Sequence, residues 1–222
     1  MALTRIPTLG IEDGAVDNTK LDLTSNYAFT GNITGTGQDF LGGGIISTDT
    51  SSVDVTWTAG DYSAIELRLG GITDTYDRSI CMQIYRGGSL VSGSVYRAMT
   101  RGISNENDTG KCPWRENNVD RAKIMTPVQT DSERTNHGSS MSRVWIQHNI
   151  ATSRPYFTLI AMGGKGGGYD TTAYGGGVCD IGNTGSGYIS GIRLLGESGT
   201  NISYLEYAVY GMTRASGTLT AS

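Results

Sequence analysis

The chain has 222 residues, a formal net charge of -4 and 17% charged residues, which fits one large domain with or without an extended segment and argues against a basic nucleic-acid surface. Hydrophobic residues make up 37%; the 33 glycines follow no three-residue period, which excludes collagen, and aliphatic and aromatic residues recur throughout, which excludes wholesale disorder. No run approaches the roughly 20 apolar residues of a membrane-spanning helix, and MALTRIPTLGIEDGAVDNTK contains no apolar core of a leader, so neither membrane contact nor secretion is expected.

Residues 1–44 read as an extended arm followed by a hinge. The arm's apolar residues, Ile6, Leu9, Ile11, Val16, Leu21, Leu23, Tyr27, Phe29 and Ile33, are spread among small and polar ones and sustain no helical period. They cannot bury one another, so the segment is either a frayed tail or an arm that docks on a neighbouring subunit or a larger assembly. GQDFLGGGIISTDTSS then reads as a Gly- and Ser/Thr-rich hinge, with Phe40, Leu41, Ile45 and Ile46 available to start a strand.

From Val53 the pattern turns to period 2. VDVTWT and AIELRL alternate apolar with polar residues, and SICMQIYR, SLVSGSVYRAM, SRVWIQHNI, PYFTLIAM, GYISGIRLL and ISYLEYAVYGM follow as short runs bounded by Gly, Asp, Asn and Ser. Residues 117–125, NNVDRAKIM, are the sole helix candidate. Residues 45–222 therefore predict an all-β domain, an antiparallel β-sandwich or jelly roll. Its last two runs read as a closing hairpin, with Ile192 and Leu194 facing the core from one strand, Leu205, Tyr207 and Val209 from the next, and Ser203 near the turn. Between Arg101 and Arg143 the chain is polar and loop-like. The glycine-rich stretch 162–188 lacks the spacing of a nucleotide loop and reads as tight turns, bulges or close backbone contacts.

Little in the sequence points to catalysis. His137 and His148 are the two histidines; a triad drawn from His137, Ser139 or Ser140 and Asp131 has no nucleophile elbow, and both histidines read as polar, solvated groups. Glu106, Asp108, Glu116, Asp120, Asp131 and Glu133 are matched by neighbouring arginines and read as mixed surface charge rather than a glycosidase pair. Asp74, Asp77, Asp170 and Asp180 could offer oxygens to calcium but lack EF-hand spacing. Cys81, Cys112 and Cys179 are widely spaced and read as reduced thiols, at least one buried, and no zinc spacing occurs. No cofactor, metal or catalytic residue is expected.

The aromatic residues carry more. Twelve tyrosines accompany three phenylalanines and three tryptophans, a balance suited to binding glycans or protein. Trp57 and Trp145 read as core. Trp114, in the charged loop, fits core and surface roles equally, and Tyr169, Tyr174 and Tyr188 punctuate the glycine-rich stretch. Trp114, Tyr169, Tyr174 and Tyr188 are the candidate receptor or glycan contacts.

Two segments resemble tailed-bacteriophage virion proteins. The run ISGIRLL, then Ser198, Gly199, Asn201 and Ile202, closing on Tyr210, Gly211 and Met212, is similar to the C-terminal strand pair of such proteins. The start, with Gly14, Ala15, Val16, Lys20, Leu21, Asp22 and Leu23 leading into Tyr27, Phe29, Thr30 and Gly31, resembles the N-terminal arm of tail-fibre and head-fibre proteins. The resemblance covers about 60 residues at the two ends and brings no catalytic residue. It implies a chain made in the host cytoplasm and built into the virion. Its arm would attach to tail or capsid proteins, and its β-domain would project as a homotrimer, in reach of host-surface glycan.

Overall fold

The computed structural model describes residues 38–60, 62–74, 78–104, 115–125, 140–147, 154–165, 169–182 and 186–213. The expected arm lies outside them. Among the described residues thirteen strands form: β1 (Gln38–Ile46), β2 (Ser52–Thr56), β3 (Tyr62–Thr73), β4 (Ile80–Arg86), β5 (Ser89–Leu90), β6 (Tyr96–Ser104), β7 (Arg115–Val119), β8 (Ala122–Lys123), β9 (Ser140–Gln147), β10 (Tyr156–Lys165), β11 (Tyr169–Val178), β12 (Ile189–Gly196) and β13 (Ile202–Thr213). Among the described residues there is no α-helix; one 3-10 turn spans Glu197–Gly199.

The strands make two antiparallel sheets packed as a sandwich. The large sheet has eight strands in the order β1-β13-β3-β9-β10-β11-β6-β7; the small sheet runs β2-β12-β4-β5, with β8 also on β4. The period-2 pattern puts one parity of each strand between the layers. Ile65, Leu67 and Leu69 of β3, Val144 and Ile146 of β9, and Phe157 and Leu159 of β10 meet Met82 and Ile84 of β4 and Ile192 and Leu194 of β12 in one buried cluster.

Two polar features lock this core. The Tyr96 hydroxyl donates to Val91 O at 2.7 Å and accepts from Ile84 N at 3.0 Å, so a buried tyrosine is fully paired. Arg86 and Asp180 form an ion pair at 2.7 Å with both side chains wholly buried, and Arg86 Nε also donates to Gly187 O at 3.0 Å. The pair ties the end of β4 to the loop joining β11 and β12.

Several sequence expectations are corrected. The final two runs do not pair with each other: β12 lies between β2 and β4 in the small sheet, and β13 between β1 and β3 in the large one. The turn between them is a corner joining the layers. Glu197 N donates to Ser79 O, beside the small sheet, while Ile202 N and Thr50 N exchange bonds with each other's carbonyls beyond the large one. The facing assignments survive the change, because both strands still point at one core: Ile192, Leu194, Leu205 and Val209 are fully buried and Tyr207 packs partly against them. Ser203 near the corner donates to Asp49 at 2.7 Å.

Residues 117–125 are not helical. They form most of β7, a turn at Asp120 and Arg121, and β8, with Asn118 at φ 56 breaking any helical run. Gln38–Gly44, assigned to the hinge, are paired in β1 along β13. The glycine-rich stretch holds a full strand, β11, between β10 and β6. Its glycines do serve close backbone contact: a Cβ at Gly177 would lie 1.9 Å from Arg97 O.

Candidate functional site on the outer face of the large sheet

The two layers treat solvent differently. On the outer face of the small sheet, Arg193 holds Asp54 through two bonds of 2.7 and 2.8 Å and also reaches the Tyr85 hydroxyl at 2.9 Å. That guanidinium keeps the Asp54 carboxyl below its ordinary range. The face is polar and self-paired.

The outer face of the large sheet interleaves exposed apolar side chains with charged ones. Antiparallel register aligns its side chains in rows across the strands. One row runs Phe40, Tyr210, Glu66, Trp145, Thr158, Gly176 and Met99; the next contains Arg68, Arg143, Ile160, Tyr174 and Arg101; a third contains Ile45, Glu206, Gly70, Met141 and Met162. Among the described residues, all nine large apolar side chains that are exposed fall on this face, from Phe40 and Ile45 on β1 to Met99 on β6.

Glu66 organises the centre. It is 5% exposed and accepts from Arg143 Nε at 2.5 Å, Arg68 Nε at 2.7 Å and Gln38 Nε2 at 3.1 Å. Burial pushes its carboxyl up, but the bonds from Arg143, Arg68 and Gln38 outweigh burial and hold it at about 2. Each arginine also covers a ring: Arg68 lies 4.9 Å from the Tyr210 centroid and Arg143 4.8 Å from that of Trp145. Phe40 meets Tyr210 edge-on at 5.7 Å. The result is a continuous ladder of rings and guanidiniums over β1, β13, β3 and β9. Trp145, expected in the core, stands on this outer face because its strand parity matches Met141 and Arg143 rather than Val144 and Ile146. Trp57 packs partly against the core and donates to Ile189 O at 3.1 Å.

Beside the ladder lies an open groove of about 940 Å3. Gly44, Gly70 and Ala208 form its floor, and Ile45, Met141 and Met162 rise around it. Tyr204, on its rim, donates to Glu206. A second hollow of about 620 Å3 lies toward β6 and β7, with Met99, Tyr156, Arg97 and Arg115 around it.

Of the sequence-predicted contacts, Tyr174 stands on this face, 60% exposed, between Ile160 and Arg101 in its row. Tyr188 lies elsewhere: it is half-buried over Gly60, with its carbonyl accepting from Gly87 N. Tyr169 pairs with Lys165 at the far end of β11, and its side chain is outside the described part. Trp114, both histidines, Cys112 and the arm residues are also outside it.

Asp77, Glu106, Asp108, Asp131, Glu133 and the Asp170 side chain lie outside the described part, and the other carboxylate candidates have internal partners. Asp180, considered for calcium, is in the buried pair with Arg86, and Asp74 accepts from Asn201 Nδ2 at 2.9 Å. Glu116, its carboxyl pushed up by burial, accepts from Lys123 N, and Asp120 pairs with Arg121. Cys81 and Cys179 are free and buried, and burial pushes both thiols up, which disfavours the thiolate. Among the described residues no cluster of His, Cys, Asp or Glu could hold a metal.

The apolar outer face was missed from sequence, although a signal was present. PYFTLIAM is apolar at both parities, with Tyr156, Ile160 and Met162 on one face and Phe157, Leu159 and Ala161 on the other. No family model, no curated protein and no solved structure matches the chain.

Proposed function

We propose that this chain is a structural component of a bacteriophage particle. It would be a short fibre or surface appendage, anchored by its N-terminal arm, assembled as a homotrimer, and displaying the sandwich for host-surface binding or particle stabilisation. The observation that carries this reading is the apolar outer face of the large sheet. Nine large residues, each about half exposed, share this one face, and such a concentration of exposed apolar side chains favours a part that is covered in an assembly.

The resemblance at the two ends supports the same reading. Its C-terminal residues form β12 and β13, one strand in each layer, which is consistent with a scaffold role. Among the described residues, every strand and every member of the buried cluster lies at or beyond Gln38. A chain lacking residues 1–35 should fold, with an unchanged circular-dichroism spectrum, and fail to enter particles. Normal incorporation of the truncated chain would remove the attachment role.

A second reading is favoured by the rings on the same face: a carbohydrate-binding or carbohydrate-cleaving sandwich module. Tyr156, Tyr174 and Trp145 offer flat, partly polar surfaces to a sugar. A glycan array comparing the native chain with Tyr174→Ala and Trp114→Ala tests glycan binding, and particle incorporation separates the two readings. Glycan binding lost in either variant, by a chain that enters no particle, favours the module, and sustained release of reducing sugar makes it an enzyme.

A further inference from the structure

Most charge on this sandwich is settled within the fold. Arg68 and Arg143 share Glu66, Arg86 holds Asp180, Arg121 holds Asp120 and Arg193 holds Asp54. Arg97, Arg101 and Arg115 differ. All three are exposed on β6 and β7, and among the described residues no carboxylate pairs with them. Arg97 reaches a neutral partner, the Asn118 side-chain oxygen, at 3.3 and 3.4 Å. Glu116, next in the chain to Arg115, is engaged with Lys123 instead: it accepts from Lys123 N at 3.1 Å and lies 3.7 Å from Lys123 Nζ.

The strands gather these arginines around a hollow. Met99 stands opposite Arg115 on β7 and Gly176 on β11, and Arg97 stands opposite Asn117 and Val178. On the other side of β11, Thr158 and Tyr156 of β10 stand opposite Gly176 and Val178. Gly176 and Gly177 leave bare backbone as the floor. The hollow of about 620 Å3 falls within the roughly 300–1,000 Å3 of small-molecule sites, with Tyr156 on one side and Arg97 and Arg115 on the other. Tyr156 is 52% exposed, and one row further Tyr174 stands opposite Arg101.

These groups select a ligand chemistry. A guanidinium is a rigid fork of donors with no acceptor, and it matches the oxygens of a carboxylate, sulfate or phosphate. A tyrosine ring beside it adds flat apolar surface with a polar tip, and a floor without side chains lets a broad ligand lie close. Nucleic acid fits poorly: it needs a track of cations, and the next arginines inward, Arg68 and Arg143, are neutralised by Glu66. An extended peptide fits poorly as well, because the edge strand β7 is short, charged and bent at Asn118, with φ 56, and offers no regular ladder to a further strand.

We propose that the hollow over β11 binds an anionic saccharide. One sugar ring rests on the glycine floor against Tyr156, its acidic substituent is held by Arg97 and Arg115, and Arg101 and Tyr174 receive the next sugar. This rests on the glycan-binding reading of the outer face and gives it a ligand class. The hollow and the groove at Ile45, Met141 and Met162 lie at opposite ends of β10: Tyr156 and Met162 are six residues apart, roughly 20 Å at about 3.3 Å per residue. An assembly that covers the groove therefore leaves room for a ligand in the hollow.

The test places the full-length protein on an array of saccharides bearing carboxylate, sulfate or phosphate, beside neutral ones of the same backbones. The native chain should bind acidic members and pass over their neutral counterparts, and the acid it prefers identifies the substituent. Titration with the best acidic ligand should show affinity falling at least about tenfold in the double variant Arg97→Gln with Arg115→Gln, which removes two charge-assisted forks, and severalfold in Tyr156→Ala. All three side chains are exposed, so the variants should keep the native melting curve. Binding that survives the double arginine variant overturns the proposal, and so does an array with no acidic ligand. In that second case, neutral glycans bound through Tyr156 or Tyr174 leave the glycan reading standing while this one falls, and an array with no bound saccharide removes both.

Discussion

Glu66 ties the charge of the outer face to the stability of the fold, and replacing it with glutamine isolates the effect. The carboxylate receives Arg68, Arg143 and Gln38 and sits at about 2 instead of its ordinary 4.5. Taken in full, that difference corresponds to about 3 kcal/mol at 1.36 kcal/mol per pH unit. Both arginine side chains are 49% exposed, so water screens the interaction, and about 1–2 kcal/mol is the realistic contribution. Glu66→Gln should also leave Arg68 directly opposite Arg143 across β3 and β9, a like-charge pair with no carboxylate between. At about 2–4 °C per kcal/mol for a chain of this size, the variant should melt roughly 2–8 °C lower at pH 7. The sign of the pH dependence follows from the lowered carboxyl. Its contribution is complete above 4.5 and is lost as the pH falls through 2, so native and variant curves should converge over that window. The assay is denaturant unfolding of both proteins from pH 7 down to pH 2. A stability difference that stays constant over the whole range, or no difference at pH 7, refutes the argument.

Two further perturbations probe the core and the glycine-rich strand. Asp180→Asn should cost about 3 kcal/mol, because it leaves the Arg86 guanidinium buried without a counter-charge; asparagine tolerates the positive φ of 61 at that site, so backbone strain is not confounded. Adding Arg86→Met should return a good part of the loss, and a double-mutant cycle with no coupling between the two positions would contradict the pairing. Gly177→Ala should cost about 2 kcal/mol or more and loosen β11 from β6, since its Cβ would stand 1.9 Å from Arg97 O; at Gly70 the nearest atom is 3.6 Å away and the same change should be nearly neutral. Thermal melts and amide exchange of the β6 and β11 protons read both outcomes.

How far the sequence reached depends on what each signal measures. Period 2 reports that a strand has one buried side, and on that basis β2, β3, β4, β9, β10, β12 and β13 were all legible. It does not report which strand is the neighbour. β12 and β13 both aim at the same core, and that holds equally for strands side by side in one sheet and for strands facing each other across two. The strand pairings distinguish the cases, and they are made to β2 and β4 in one layer and β1 and β3 in the other, all far away in the chain. β11 was hidden for the opposite reason. Its inner side is built from Ala173, Gly175 and Gly177, which present no apolar pattern, and what holds the strand is its two neighbours' backbones.

The outer face was obscured by the same habit of thought: once an alternating run has supplied a core side, the other parity is taken to be solvent. Met141, Ile160 and Met162 contradict that, and their neighbours on the face explain why the sequence tolerates them. Arg68 and Arg143 are held by Glu66 and lie over Tyr210 and Trp145, so charge and apolar surface interleave instead of separating. Such a face pairs part of its charge internally and leaves apolar ground exposed between the pairs. Interleaving also limits what could cover it: a purely apolar cover would offer nothing to Arg97, Arg101 and Arg115, and a purely acidic one would leave the groove at Ile45, Met141 and Met162 uncovered.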